Sequence, residues 1–226
     1  MLLPNMSESL GVWLATETYS GTGGERTISA TELLKSVRQI VLSRRVDSAQ
    51  VTPNLNSLIA SRIGVAIHDA IRLSWVNPTR IKALEALGLP AHKYVVNPEG
   101  PVPDGMIDVR TEQRTDKVID GWTVSGEYDL VIAGQLMDTK TTKGFVIQKR
   151  LHDAKWMMQG SIYRWLNPEV ITDDSVVIEC IVLDWAAAAA RAAPEYPQQQ
   201  WVGLRLTLKS YQETESFIRT KLAEIT

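Results

Sequence analysis

Two aspartates and a lysine, Asp129, Asp138 and Lys140, lie close together in a stretch of alternating apolar and polar residues. Such alternation is typical of a half-buried strand, so Asp129 points away from one apolar face. If Ala133-Gly134 forms a two-residue hairpin loop, Asp129 lies directly opposite Asp138, with their Cβ atoms ~5 Å apart. If Gly134-Gln135 forms the loop, the two carboxylates are offset by one pair. In either case Lys140 follows Asp138 at the next position on the same face.

This arrangement of charges is suited to binding a divalent cation. Two carboxylates held together repel each other and raise each other's pKa unless a cation lies between them. Oxygen ligands suit Mg²⁺ or Mn²⁺, and a neighbouring lysine can stabilise a phosphate or position a nucleophile. The ordinary alternative is a surface hairpin with its charges on the solvent side. However, Leu136 and Met137 precede Asp138 in a strand that we expect to be central, where unused charges are costly to bury.

Two predicted helices carry further candidate residues. Gly64 lies one turn before His68 on the same helix face, and its missing side chain would allow another backbone or a group of metal ligands to approach. On a later helix, Lys155, Gln159 and Tyr163 form a polar stripe at intervals of four residues. A structural histidine and a solvated helix face are the ordinary alternatives to these roles.

The elements that must position these residues follow from hydrophobic periodicity and turn signals. Capping boxes at Ser29–Glu32 and Ser210–Glu213 open two helices, the first of which continues to Val41. Apolar spacing predicts the other helices at 55–75, 80–87 and 149–166. Alternating or β-rich stretches predict strands at 106–115, 122–133, 135–141, 176–185 and 201–208. The Ala-rich segment 186–193 is compatible with a short helix or with a mobile flap.

This order of elements predicts an α/β (α+β) fold in which a mixed central β-sheet is flanked by helices. The 226 residues fit a single domain, and no linker or repeat divides them. We assign residues 28–226 to this domain. We expect residues 1–27 to form an N-terminal arm or irregular lead-in.

Composition excludes several classes of protein. A single cysteine, Cys180, rules out a disulfide framework, a cysteine-based zinc site and a four-cysteine iron–sulfur cluster. No apolar run approaches the ~20 residues of a spanning helix, and the N-terminus lacks the pattern of a secretory signal. We therefore expect a cytoplasmic protein without membrane contact. A net charge of −2 gives no overall signal for binding a polyanion.

Together these residues resemble the PD-(D/E)XK nuclease superfamily, and specifically its RecB-like and phage-exonuclease branch. There, one strand supplies an aspartate and the next a (D/E)-x-K motif, with a G-x-x-x-H helix upstream and a Q-x-x-x-Y helix downstream. The matching residues occur in the family's order: Gly64/His68, Asp129, Asp138-x-Lys140 and Gln159/Tyr163. The resemblance covers most of the chain from about residue 28 and implies a restriction-endonuclease-like core. The missing iron–sulfur cysteines exclude the cluster-bearing subgroups of the family.

The resemblance implies Mg²⁺- or Mn²⁺-dependent hydrolysis of DNA phosphodiester bonds with one or two ions. It makes Asp129, Asp138 and Lys140 the catalytic residues. The implied metal ligands are His68, Asp129, Asp138 and the backbone carbonyl of Thr139. Glu112, on the preceding strand, is either a neighbour of these ligands or a charge at the strand edge.

Contacts with DNA are implied for two groups of residues. Gln159 and Tyr163 would contact the strand being cleaved. Basic residues just after the catalytic strand would neutralise backbone phosphates, and these are Lys143, Lys149, Arg150 and Lys155. An ordinary charged surface is the alternative interpretation of this basic cluster.

The most specific expectation is a phage-type exonuclease that processes DNA ends in recombination, repair or replication, in the host cytoplasm if a phage encodes it. Two alternatives stay open: a structure-specific endonuclease of the same fold, and an inactive module that binds DNA or a protein. The expected partner is DNA. A recombination or single-strand-binding protein is a further candidate partner, and a homo-oligomer is compatible with the family.

Overall fold

The computed structural model describes residues 6–16, 24–46 and 54–225. Its helices are α1 Glu8–Ala15, α2 Ala30–Leu33, α3 Val37–Arg45, α4 Leu55–Val76, α5 Arg80–Ala86, α6 Gly144–Gln148, α7 Asp153–Leu166, α8 Ala187–Ala192 and α9 Tyr211–Ile225. Its strands are β1 Thr27–Ser29, β2 Tyr94–Val96, β3 Ile107–Ile119, β4 Trp122–Ile132, β5 Gln135–Thr142, β6 Ser175–Val182 and β7 Trp201–Thr207. Among the described helices, none combines the length and apolar composition that crossing a bilayer requires.

One mixed sheet joins the strands in the order β2-β3-β4-β5-β6-β7, and β1 pairs alongside β4. Strands β3, β4 and β5 form an antiparallel meander, whereas β5 and β6 are parallel. A parallel neighbour requires a crossover connection, and α6 and α7 supply it. The predicted mixed sheet flanked by helices is therefore confirmed, and β5 lies in its middle.

The turn between β4 and β5 fixes the register that the sequence left open. Ala133 and Gly134 both have positive φ, 49° and 80°, as in a type I′ turn. Ile132 pairs with Gln135 across them. The structure thus has the first of the two predicted loops.

Two predicted helices differ in extent from the structure. The helix predicted from the Ser29 cap becomes α2 and α3, because Ser36 and Gln39 form a capping box that starts a new helix. The helix predicted at 149–166 corresponds to α7, which begins at Asp153, and a separate helix that was not predicted, α6, precedes it. Arg150 has a φ of 51°, a left-handed conformation that interrupts helical hydrogen bonding between them.

The N-terminal segment 1–27, expected to be an arm or irregular lead-in, contains the helix α1. Leu14 of α1 is fully buried. Its carbonyl accepts a hydrogen bond from Arg62 Nε of α4 at 3.1 Å. Helix α1 therefore packs against α4. Residues 1–5 and 17–23 of that segment lie outside the described residues.

The main core lies where α7 and α9 cover the sheet. Helix α7 contributes Trp156, Ile162 and Trp165 to this core, and α9 contributes Ile218 and Leu222. Each such side chain stabilises the fold by roughly 1.5–3 kcal/mol when it is fully buried. Helix α4 differs, because Leu55 is the one buried residue among its 22. Burial of apolar surface alone therefore does not fix the position of α4.

Gly64 of the G-x-x-x-H motif and Gly126 of β4 differ in the space around them. A Cβ at Gly126 would lie 2.5 Å from Leu166 Cδ1 and 3.2 Å from Tyr163 Cδ1. A Cβ at Gly64 would meet Thr141 Oγ1 at 3.5 Å, an ordinary contact. Another segment does approach Gly64, as predicted, but the space there would still accommodate a methyl group.

We expect Gly126→Ala to lower the free energy of unfolding by about 1–3 kcal/mol, since β4 and α7 must move apart. Gly64→Ala is the control, and its helical position favours a gain of roughly 0.5–1 kcal/mol. Urea unfolding of both variants measures the difference. Equal destabilisation by the two substitutions would contradict this account of the packing.

Candidate active site

A cleft of about 740 Å³ opens between α2, α4 and α7, with β4 and β5 at its base. Five residues predicted from the family motifs line it: His68, Asp129, Lys140, Gln159 and Tyr163. Gly64 lines it as well. Residues that are 99 positions apart in the sequence, Gly64 and Tyr163, thus meet in one cavity.

Asp138 lies beneath the floor of this cleft. The β4–β5 ladder pairs Leu130 with Met137, and the same register continued by one residue places Asp129 opposite Asp138. The Asp138 side chain is only 3% exposed. Lys140 Nζ lies 2.7 Å from Asp138 Oδ1. Two carboxylates and one ammonium group are therefore held together at the centre of the sheet.

His68 approaches this group from α4. Its Nδ1 lies 2.9 Å from Asp129 Oδ2, and both side chains are about a quarter exposed. The helix thus brings an imidazole to the carboxylate that faces the cleft. Asp129 therefore lies between His68 and the buried Asp138.

Burial controls the protonation of Asp138. Loss of solvent raises the pKa of its carboxyl to about 7, with a further rise from Asp129 and a partial offset by the Lys140 charge. For Lys140, burial works to lower the pKa, but the two aspartates outweigh it, so the pKa lies above its usual value. The lysine is therefore a cation at neutral pH.

Asp129 and His68 stabilise each other's charged forms. Burial works to raise the pKa of Asp129, but the hydrogen bond and charge of His68 outweigh it and lower the pKa. The same hydrogen bond raises the pKa of His68, against the effect of burial. The two aspartates therefore differ in protonation: Asp129 is ionised at neutral pH, whereas Asp138 titrates near neutrality.

The oxygen atoms of both aspartates suit a divalent cation. Asp129 Oδ2 and Asp138 Oδ1 are buried. Their close neighbours are His68 Nδ1 and Lys140 Nζ. In residues 6–16, 24–46 and 54–225, no group of three or more His, Cys, Asp or Glu side chains surrounds a ready metal position. The two carboxylates nevertheless fit Mg²⁺ or Mn²⁺, since these hard cations prefer oxygen ligands.

Thr139 is placed beside these residues and is 5% exposed. It lines a small cavity of about 10 Å³ together with His68 and Asp129. Its side chain also hydrogen-bonds Glu179 of β6, whose pKa is raised by burial. Thr139 is therefore adjacent to the carboxylates, as its predicted role requires.

Gln159 and Tyr163 do not form a solvated stripe with Lys155. Gln159 is 7% exposed and Tyr163 is 5% exposed, whereas Lys155 is exposed. Gln159 Nε2 donates a hydrogen bond to Tyr163 Oη at 2.8 Å. The pair therefore forms part of the cleft wall, and its polar atoms are already partly engaged with each other.

The predicted basic cluster is exposed and lies outside the cleft lining. Lys143 precedes α6, Lys149 and Arg150 lie in the turn after it, and Lys155 is on α7. Arg150 Nε contacts Asp153 Oδ2 at 2.5 Å, so part of its charge is neutralised. The structure thus places these cations around the β5–α7 connection rather than at the carboxylates.

Glu112 faces α4 from β3. Its Oε2 lies 2.7 Å from Arg72 Nε, and the two side chains are about one third exposed. Burial raises the pKa of Glu112, with Arg72 acting in the opposite direction. The sequence analysis missed Arg72, although its spacing of four residues from His68 places both on one helix face.

Other cleft residues were also missed by the sequence analysis. Ser29 and Thr31 line the cleft beside α2, and Asp69 lines it from α4. The capping motif at Ser29 was visible in the sequence, but its position above β4 depends on the pairing of β1 with β4.

In the metal-free protein, Asp138 makes stability depend on pH. Between its ordinary pKa of 3.8 and the folded value of about 7, the folded state binds more protons than the unfolded state. Its contribution to the free energy of unfolding therefore falls as pH rises through this range. We expect Asp138→Asn to remove that contribution in urea unfolding with EDTA. Asp116→Asn, an exposed carboxylate on β3, is the control, and an identical pH profile in Asp138→Asn and wild type would contradict this.

Comparison with known proteins shows likeness in structure. No family model and no curated protein matches the sequence. The crystal structure of SSO0001 matches with a TM-score of 0.54 at 16% identity, over 95% of this chain and 83% of that chain. An alkaline exonuclease (LHK-Exo) from Laribacter hongkongensis matches with a TM-score of 0.46 at 10% identity, over 88% of each chain. A phage-related exonuclease from Haemophilus somnus 129PT matches with 0.39 at 12% identity, over 88% of this chain and 91% of that chain.

At these identities a match shows the fold alone, and only the SSO0001 match has a TM-score above 0.5. The sheet order and helix positions agree with the fold predicted from the sequence. The chain has a mixed α/β fold like that of SSO0001, in which a mixed central sheet is flanked by helices, as predicted from the sequence.

Proposed function

We propose that this protein is a metal-dependent deoxyribonuclease of the PD-(D/E)XK type. The observation that carries the proposal is the group formed by Asp129, Asp138 and Lys140 at the base of the cleft. Burial raises the pKa of Asp138 to about 7, because the charged form of the carboxyl is unfavourable away from solvent. Such perturbed groups in a cleft are typical of catalytic sites.

Asp129, Asp138, His68 and the Thr139 carbonyl are the residues that would hold one or two Mg²⁺ or Mn²⁺ ions. A bound ion of this kind supplies a Lewis acid for the phosphate and a more acidic water. Lys140 positions the attacking water or stabilises the charge that develops on the phosphate, in a site where its own charge is weakly screened.

The charges of the cleft support a requirement for a divalent cation. Asp69, Glu112, Glu127 and Asp129 line it, against the cationic groups of Lys140 and His68. A phosphodiester entering this cleft meets an excess of carboxylates. These carboxylates work against the approach of a phosphate to the cleft, and a divalent cation that neutralises them would favour productive binding.

Within this function we propose an exonuclease of the phage type that processes DNA ends. The ordered set of motif residues supports it. A structure-specific endonuclease of the same fold is the second candidate. An inactive DNA-binding or partner-binding module is less well supported, since all three residues of the Asp/Asp/Lys group are present.

Cleavage assays test the proposal directly. Linear duplex, nicked, single-stranded and covalently closed circular DNA are incubated with Mg²⁺, Mn²⁺ or EDTA. We expect cleavage with either metal and none with EDTA. Asp129→Ala and Lys140→Ala should each lower the rate about 10²- to 10³-fold, because each removes a group that acts on the transition state. Lys82→Ala, an exposed lysine on α5, is the matched control.

The choice of DNA distinguishes the candidates. Degradation of linear DNA with an intact closed circle supports the exonuclease, and cleavage of the circle supports the endonuclease. DNA binding without cleavage supports the inactive module. Wild-type rates in both Asp129→Ala and Lys140→Ala would overturn the proposed site.

The basic cluster gives a separate prediction about binding. We expect Lys143→Ala and Lys155→Ala each to weaken duplex binding in EDTA, and each to reduce the salt slope of log K by about 1. The physical reason is that each lysine releases one condensed counterion when it contacts a phosphate. Fluorescence anisotropy between low and moderate salt measures the slope, with Lys82→Ala as the control. If the salt slope of log K is unchanged in both variants, the cluster does not contact DNA and is an ordinary charged surface.

A further inference from the structure

Glu112 has a backbone conformation that strands do not normally contain. The β3–β4 ladder pairs Thr111 with Leu130 and Gln113 with Tyr128, which leaves Glu112 and Asp129 facing each other between two paired steps. Glu112 has a φ of 42°, in the left-handed region that residues with a side chain rarely adopt. The other described non-glycine residues with positive φ lie outside strands.

Asn97 holds the strand next to this strained residue. The Asn97 Oδ1 atom accepts a hydrogen bond from the Thr111 backbone N–H at 2.8 Å, and its Nδ2 donates to Thr111 Oγ1 at 2.9 Å. Its own backbone N–H donates to the Val109 carbonyl at 2.7 Å. The Asn97 side chain thus extends the hydrogen bonding between β2 and β3 as far as Thr111, the residue before Glu112.

The strained backbone places the Glu112 carboxylate against α4. Arg72 Nε lies 2.7 Å from Glu112 Oε2, one helical turn after His68, whose Nδ1 lies 2.9 Å from Asp129 Oδ2. One further turn along, Trp75 packs on Tyr94 of β2 with ring centroids 5.9 Å apart. Three successive turns of α4 therefore contact three neighbouring strands.

These contacts add to an apolar face of α4 that is only partly buried. Leu55, its one fully buried residue, is at the opposite end of the helix from Arg72. The segment of α4 that carries His68 is thus held by partly buried Ile67 and Ile71 together with its ion pairs and Trp75. Of these, the Arg72–Glu112 pair is the one whose formation requires an unfavourable backbone conformation.

We propose that Glu112, braced by Asn97, is a positioning residue that acts through Arg72 to hold His68 against Asp129. This inference deepens the proposed function and rests on it for its effect on catalysis. The strain at Glu112 is maintained because neighbouring hydrogen bonds fix the strand on both sides. Neither Glu112 nor Arg72 needs to touch the substrate for this role.

The direct test observes His68 in the metal-free protein. Imidazole ¹⁵N resonances are recorded in EDTA at one pH, and the His68 signals are assigned with His68→Gln. We expect Arg72→Ala and Glu112→Ala to move these signals, and the double variant to move them no further than either single one. Arg114→Ala is the matched control, because Arg114 forms an ion pair with Glu127 across the same two strands.

Catalysis gives the second readout. If His68 is misplaced, kcat should fall by up to about 100-fold in Arg72→Ala and in Glu112→Ala. Glu112→Gly separates positioning from folding, because glycine adopts a φ of 42° without strain. We expect Glu112→Gly to unfold at a higher urea concentration than Glu112→Ala and yet to have the same low kcat.

Two results would overturn the inference: His68 signals that stay in place in both Arg72→Ala and Glu112→Ala, or signals that move equally in Arg114→Ala. A protein that cleaves no DNA would instead remove the proposed function. In that case the His68 resonances still decide whether Glu112 positions α4.

Discussion

The buried ion pair between Asp138 and Lys140 is the constraint on which the rest of the site depends. Nζ and Oδ1 are 2.7 Å apart beneath the cleft, and loss of solvent raises the pKa of the carboxyl to about 7. A charge in such a position costs free energy unless an opposite charge lies beside it. The strand register that brings Lys140 to Asp138 must therefore be accurate. The type I′ turn at Ala133-Gly134 provides that accuracy, because a slip of one residue would move Asp138 to the other face of the sheet.

The helices that pack on the sheet are held in different ways. Helices α7 and α9 cover part of it with large apolar side chains that lie in the main core. Helix α4 has a less buried apolar face and adds polar contacts, among them His68–Asp129 and Arg72–Glu112. A helix fixed in this way responds to changes in charge at its contacts. Its position therefore depends on the same carboxylates that would bind a metal ion.

The predicted elements were most accurate where several local signals agreed. The strands β4 and β5 and the helix α4 have nearly the predicted limits, whereas β3 extends four residues beyond its predicted end, to Ile119. The helix predicted from the Ser29 cap is divided by the Ser36–Gln39 capping box, and the left-handed Arg150 precedes α7, which begins four residues after its predicted start. A solvated face on α7 does not fit Gln159 and Tyr163, because both are buried and they hydrogen-bond each other.

The sequence by itself determined the fold class and the residue types of the site, because Asp129, Asp138 and Lys140 follow a strand period that can be counted along the chain. It could not determine which hairpin loop forms, since both choices satisfied the local turn preferences. Only the tertiary structure decided that register, the burial that separates the pKa values of the two aspartates, and the contact of Arg72 with Glu112. These features depend on the approach of segments far apart in sequence, and the free energy of burying a charge is defined only once its surroundings are assembled.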